Sequence, residues 1–321
     1  MAGPAVPEHC SLGRTDAVAD VELFPFTLAA LSGGEELSSD EIASLSHLSG
    51  DAVRLLEDSW IDTPEPAKLR LLNRLSDTER DRLRHDFNSV YSTAMKDPSA
   101  EVRRLAVGSI VEDGSAMHLE RLLAILRSDP ETAVRARAAE AVAPYALRAE
   151  LGELQPSAPG RIRDTLLGVF RDDGEDPTVR AAALASVGYL DSPDVKAAIE
   201  VGLAAQSLRL GAIRAMGRTA NPEWLGPLAR DSGAPTAAER AEIARALGEL
   251  GDEAAAPLLA DMIDDRASEV RHAAIAALGV LGGEDAREAL IYALEDGRAD
   301  IREAAERAIS QLESLEDPLA F

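Results

Sequence analysis

Hydrophobic positions along most of the chain recur on a helical period. In residues 270–281 (VRHAAIAALGVL), Val270, Ala274, Ala277, Leu278 and Leu281 fall at i, i+4, i+7, i+8 and i+11, which is one face of a helix. The stretch before it places Ala256, Leu259, Ala260 and Ile263 on a second apolar face, so the pattern predicts a pair of helices. That pair repeats. A β-branched anchor followed by Arg and an Ala-rich stretch occurs at Val102-Arg103, Val134-Arg135, Val179-Arg180, Val270-Arg271 and Ile301-Arg302. Weaker copies stand at Leu69-Arg70, Leu208-Arg209 and Glu239-Arg240. From Arg103 onward the arginines are 32, 45, 29, 31, 31 and 31 residues apart, and the 45 coincides with residues 151–160, whose Gly and Pro content predicts a lengthened loop near 148–160. One helix pair cannot bury its apolar face alone, so stacked neighbours must supply a common core.

Within each copy, Pro98 and Pro130 follow Asp97 and Asp129, which fits an acidic N-cap with proline in the first helical position; Asp265 and Asp296 occupy the same offset. Small residues at Ala106, Ala138, Ala183, Ala212, Ala274 and Ala305 let paired helices approach closely. Residues 265–279 (DRASEVRHAAIAALG) match the pattern D-x-x-x-x-V-R-x-x-A-x-x-A-L-G, and through it the chain resembles the HEAT-repeat family, specifically the short bacterial phycobilisome-lyase HEAT-like type. The resemblance spans roughly residues 64–313 on the repeat period. It implies an all-α, right-handed α-solenoid of about seven to eight helix pairs. It also implies a ladder in which each Arg after the anchor reaches the Asp of an adjacent loop. The members would be Arg103, Arg135, Arg180, Arg271 and Arg302, with Asp97, Asp129, Asp265 and Asp296 as acceptors. Arg209 and Arg240 lack that upstream Asp, and Glu239 stands where an apolar anchor belongs, so the chain departs from the family's ladder across residues 208–250.

The ends read differently. Residues 1–36 are expected to be irregular, with the apolar stretch 21–31, interrupted by Pro25, packing as a cap. The repeat region is expected over 37–313, with Ser39 or Asp40 capping a helix before Glu41, and an acidic tail over 314–321.

Composition narrows the function. Apolar residues make up 46% of the 321 positions and aromatics 3%, so the core must be built from Ala, Leu, Val and Ile, against an all-β fold. With 57 acidic and 33 basic residues the net charge is −24, which disfavours nucleic acid and anionic lipid. Acidity is concentrated at the ends: residues 1–60 hold 11 acids and 2 bases, and 151–321 hold 31 and 17. DNA binding would need a broad basic track, yet the chain has three lysines. No apolar run approaches the roughly 20 residues of a membrane span, and residues 1–10 show no charged n-region followed by an apolar h-region, so no signal peptide is expected. A cytoplasmic protein, monomeric, is expected.

Candidate chemistry is sparse. Cys10 stands alone, excluding an internal disulfide. His9, His47, His85, His118 and His272 fall at no metal-binding spacing, and none precedes Glu, unlike the His-Glu pairs that hold iron in the HEAT-like deoxyhypusine hydroxylases. HExxH, GxSxG, Walker and GxGxxG motifs are missing, and acid pairs such as Asp172-Asp173 and Asp264-Asp265 sit at inferred helix ends, where they favour the following helix. No catalytic residue, metal or cofactor is expected. The reading that results is a non-enzymatic scaffold or adaptor binding another protein or an acidic peptide through its concave surface. The alternative is an auxiliary factor in chromophore or cofactor attachment, by family resemblance. The second helix of each pair should line that surface, exposing positions two, three and six after the anchor. Candidate contacts are Arg104, Arg137, Leu210, Arg214, Arg245 and His272. The competing reading is that these arginines pair with helix neighbours such as Glu140 and Glu242.

Overall fold

The computed structural model describes residues 22–78, 85–110 and 116–316, so His9, Cys10, most of the irregular segment expected over 1–36, and residues 317–321 of the tail lie outside the described residues. Among the described residues the secondary structure is helical throughout. The chain divides into two compact units, Met1–Val111 and Glu112–Phe321.

The N-terminal unit contains α1 (Phe24–Ser32), α2 (Ser39–Ala43), α3 (Asp51–Asp62), α4 (Glu65–Thr78), α5 (Asn88–Ala94) and α6 (Ala100–Ser109). The first of these replaces irregular chain by a helix. Pro25 lies in its first turn, where a missing N–H has no intrahelical partner to lose, so proline starts this helix instead of breaking it. Its Phe24, Leu28 and Leu31 are buried, and it packs on α3 and α4. The cap of α2 is one residue earlier than expected: the Ser38 hydroxyl accepts from Glu41 N while the Glu41 carboxylate accepts from Ser38 N, a reciprocal capping box. A polar cross-link joins three elements of this unit. The Asp97 carboxylate accepts from Trp60 Nε1 at 2.8 Å and pairs with Lys68 Nζ at 2.8 Å, with both charged side chains buried.

The C-terminal unit is a run of six helix pairs: α7 (Ala116–Ser128) with α8 (Thr132–Glu150), α9 (Ala158–Arg171) with α10 (Pro177–Val187), α11 (Pro193–Ala204) with α12 (Arg209–Arg218), α13 (Leu225–Asp231) with α14 (Ala237–Leu250), α15 (Ala256–Met262) with α16 (Ser268–Leu281), and α17 (Glu284–Leu294) with α18 (Ala299–Glu316). The last helix runs past residue 313, three residues into the segment expected as tail. Each second helix packs on its own partner and on the second helix of the next pair, which makes an α-solenoid. The anchors Val134, Val179, Val270 and Ile301 are fully buried between these helices.

Close approach along the second helices has a sequence cause in the glycine nine residues after the anchor. A methyl group on Gly188, Gly217 or Gly248 would lie 2.7, 2.6 or 2.8 Å from atoms of Ala215, Ala246 or Ala277 in the following helix. Backbone therefore meets backbone at every such crossing, and alanine seven residues after the next anchor completes the fit. First helices meet one another more sparsely than second helices do.

Aspartates before the anchors do not cap helices as expected. Asp97, Asp129, Asp265 and Asp296 each accept, through Oδ1, the N–H two residues on (Ser99, Glu131, Ala267 and Arg298). This local turn forms ahead of the helix and displaces the helix start by two residues, from Pro98 and Pro130 to Ala100 and Thr132 in the first two cases.

Candidate partner-binding surface

Arginine after the anchor turns back within its own helix pair and donates through Nη1 to the carbonyl six residues earlier. The bonds are Arg103 to Asp97 O (2.9 Å), Arg135 to Asp129 O (2.7 Å), Arg209 to Leu203 O (3.1 Å), Arg240 to Ala234 O (2.9 Å), Arg271 to Asp265 O (3.0 Å) and Arg302 to Asp296 O (2.6 Å). A carbonyl is the acceptor, so the side chain at that position need not be acidic, and Arg209 and Arg240 take part in full. Arg180 departs from the rule: its Nε donates to Phe170 O at 2.9 Å and its Nη2 pairs with Asp173 at 2.9 Å.

The free edge of the guanidinium reaches the next pair. Arg240 grips Asp265 with two bonds of 2.7 and 2.9 Å, Arg135 grips Glu175 with two of 2.8 Å, and Arg209 donates to Asp231 and lies 3.3 Å from Glu239. These are the rungs between repeats, and those of Arg209 and Arg240 lie in the stretch where the sequence pattern departs from the family's ladder. Glu239, in the place of an apolar anchor, is buried and held by the Thr236 hydroxyl, Gln206 and Arg209. Hydrogen bonds from Arg135 hold the Glu175 carboxyl below the usual carboxylate range, and those from Arg240 do the same for Asp265. The rung from Arg271 to Asp296 is missing. Asp296 is taken by the backbone N–H, Nε and Nη2 of Arg298, its near neighbour, and Arg271 Nε is buried without a hydrogen-bond partner.

The candidate arginines of both units are paired within their own helices or to a neighbouring helix. Arg104 binds Glu101 at 2.7 Å and Arg137 binds Glu140 at 2.8 Å, each one turn along its own helix. His272 Nδ1 lies 2.7 Å from Ser268 O, and Nε2 lies 3.6 Å from Asp300 of α18. A different arrangement holds across α10, α12 and α14. Arg214 reaches across to α14 and grips Glu242 with bonds of 2.7 and 2.9 Å, and Arg245 binds the same carboxylate at 3.1 Å. Burial pushes Glu242 up, and the two arginines outweigh it, so its carboxyl stays below the usual range.

Arg218, one turn beyond Arg214, was not among the sequence candidates. Its guanidinium stacks over the Tyr189 ring at 5.0 Å, donates to Ala185 O at 3.1 Å, and leaves Nε buried without a partner, 3.6 Å from Glu249. Burial raises the Glu249 carboxyl above its usual range against the pull of Arg218. The signal for Arg218 is its position ten residues after the anchor, one turn beyond position six. Three arginines thus face two glutamates in this stripe, beside the exposed Leu210 and the half-buried Tyr189. No group of three or more metal-ligating side chains converges among the described residues. No helix among them is long and apolar enough to cross a membrane.

Residues 223–310, covering α13 to most of α18, match the family described as HEAT repeats. No curated protein matches the sequence. Similar solved structures include human deoxyhypusine hydroxylase in complex with glycerol, at 21% identity over 82% of this chain and 99% of that one, TM-score 0.35. Another is the Kap95p–RanGDP nuclear import assembly, at 14% identity over 94% of this chain and 48% of that one, TM-score 0.45. A designed armadillo repeat protein matches at 18% identity over 70% and 98%, TM-score 0.29.

Proposed function

We propose, from the HEAT repeats of residues 223–310 and the row of second helices they extend, that this protein is a non-catalytic scaffold whose C-terminal unit holds an acidic, partly apolar segment of another protein. One observation carries the reading: the stripe formed by Arg214, Arg218 and Arg245 against Glu242 and Glu249 has a net positive charge in a chain whose overall charge is −24. An anion drawn to this protein finds its local attraction here, and bidentate guanidinium geometry suits a carboxylate. Arg245 is positioned to give a partner its free edge, since its side chain is 52% exposed while bonded to Glu242 at one nitrogen. Leu210 and Tyr189 beside the stripe supply apolar area for a neighbouring side chain of the same segment.

The test is fluorescence anisotropy with a labelled synthetic peptide of Glu and Leu, titrated with the full chain at low and at high salt. The reading expects salt-sensitive binding that weakens about tenfold or more in Arg214→Glu/Arg245→Glu. Equal affinity for wild type and this variant would remove the stripe from the account.

A further inference from the structure

A second surface lies on the other row of helices in the C-terminal unit, between α15 and α17. The two helices border an open groove of about 450 Å³. Ala256, Ala260, Ile263 and Ala289 form its floor, and Tyr292 forms one wall, the residue being 74% exposed. Ile291, next to it, is 53% exposed, so two large apolar side chains stand out from one helix end. The rim is anionic. Asp264, Asp285 and Glu288 line the groove and no cation does. Asp264 is 3.4 Å from Arg298, whereas Asp285 and Glu288 are exposed and no ion pair among the described residues reaches them.

This combination selects its occupant. Alanines keep the floor shallow and smooth, the tyrosine offers a ring face to an aliphatic or cationic side chain, and unpaired carboxylates repel any acidic segment. The chain's own ends are poor occupants on charge, because residues 1–20 carry one arginine against three acids and residues 313–321 carry no base. We infer that the α15–α17 groove docks a basic segment of a partner protein that places an apolar side chain against Tyr292 and its cations on Asp285 and Glu288. The proposal is separate from the reading of the arginine stripe: it concerns the other row of helices and the opposite sign of charge.

A labelled synthetic peptide of Lys and Leu, titrated with the full chain and read by fluorescence anisotropy, tests it. Tyr292→Ala should weaken binding about tenfold or more, as truncation of an exposed aromatic anchor does. Asp285→Lys/Glu288→Lys should weaken it by a similar factor at low salt and by less at high salt. The control is Glu200→Lys/Glu303→Lys, the same change in net charge at exposed positions outside the groove, which should change affinity less than about twofold. Equal losses in the two reversed variants would mean diffuse attraction to an acidic body and overturn the proposal, as would unchanged binding in Tyr292→Ala or no binding by wild type. All these side chains are exposed, so far-UV circular dichroism melts should superimpose, and Arg214→Glu/Arg245→Glu should bind the basic peptide as wild type does.

Discussion

Arginine after the anchor has two partners of different kinds, and they respond to mutation differently. Its bond to the carbonyl six residues back belongs to one helix pair, while its carboxylate grip joins two pairs. Arg240 makes both while nearly buried, with its side chain 7% exposed. Arg240→Ala leaves the half-buried Asp265 without its cation and should cost about 2 to 3 kcal/mol in urea denaturation. Arg240→Lys should recover little of that loss, because an ammonium cannot span the carbonyl and both carboxylate oxygens. Asp129→Ala keeps the carbonyl that Arg135 uses, so the bond of Arg135 within its own pair should survive the change. The missing rung gives a sharper case. Arg298→Ala releases Asp296 toward Arg271, so a double-mutant cycle between Arg271 and Asp296 should show no coupling in wild type and clear coupling once Arg298 is gone. Titration follows the same pairs. Glu175, Asp265 and Glu242 have carboxyls lowered in the fold, so their stabilisation is full above the ordinary values of 4.5 for Glu and 3.8 for Asp, and is lost as pH falls through the lowered ones. Glu249, raised by burial, works in the opposite sense, but the three lowered groups outnumber it, and urea midpoints should fall below about pH 4. Sequence reading identified the arginines and named Asp265 among the acceptors, but missed Glu175 and Asp231, which lie four and eight residues before the anchors of their own pairs and so share no offset. Likewise Glu239 reads as a defect in the repeat until its burial beside Arg209 is seen.

Helices in this protein are legible from periodicity, and their spacing is legible from glycine. The second helices cross where Gly217 and Gly248 face Ala246 and Ala277, with no room for a side chain. Alanine favours a helix over glycine by about 1 kcal/mol, yet Gly217→Ala or Gly248→Ala should destabilise by about 1 to 3 kcal/mol, since an added methyl meets backbone. Gly226→Ala serves as the contrast: an added methyl there meets nothing nearer than the Arg230 side chain at 3.8 Å, so the change should be neutral or stabilising in the same urea measurement. Two helix starts were misread for a common reason. An aspartate ahead of a helix bonds either the first turn or the residue two positions on, and a following proline suits both. Pro25 likewise reads as an interruption until the first turn is seen to begin there.

At the scale of the whole chain, net charge conceals two surfaces of opposite local sign in the C-terminal unit. Periodicity placed Arg214 and Arg245 at outward positions of the second helices. It did not separate arginines consumed by a neighbour on the same helix, such as Arg104 and Arg137, from those bridging to the next helix. That distinction depends on how far one helix sits from the next, which the glycines fix and a single-helix pattern omits. The excess of one arginine over the glutamates of the stripe is the feature on which the functional reading stands. Quantitative affinity capture tests it most directly: the immobilised wild-type chain and Arg214→Glu/Arg245→Glu are exposed to lysate of a cell that naturally makes the protein, and retained proteins are compared by mass spectrometry. The account predicts a protein with an acidic segment that wild type retains in stoichiometric amount and the variant loses. Retention of the same proteins in equal amounts by both would contradict it.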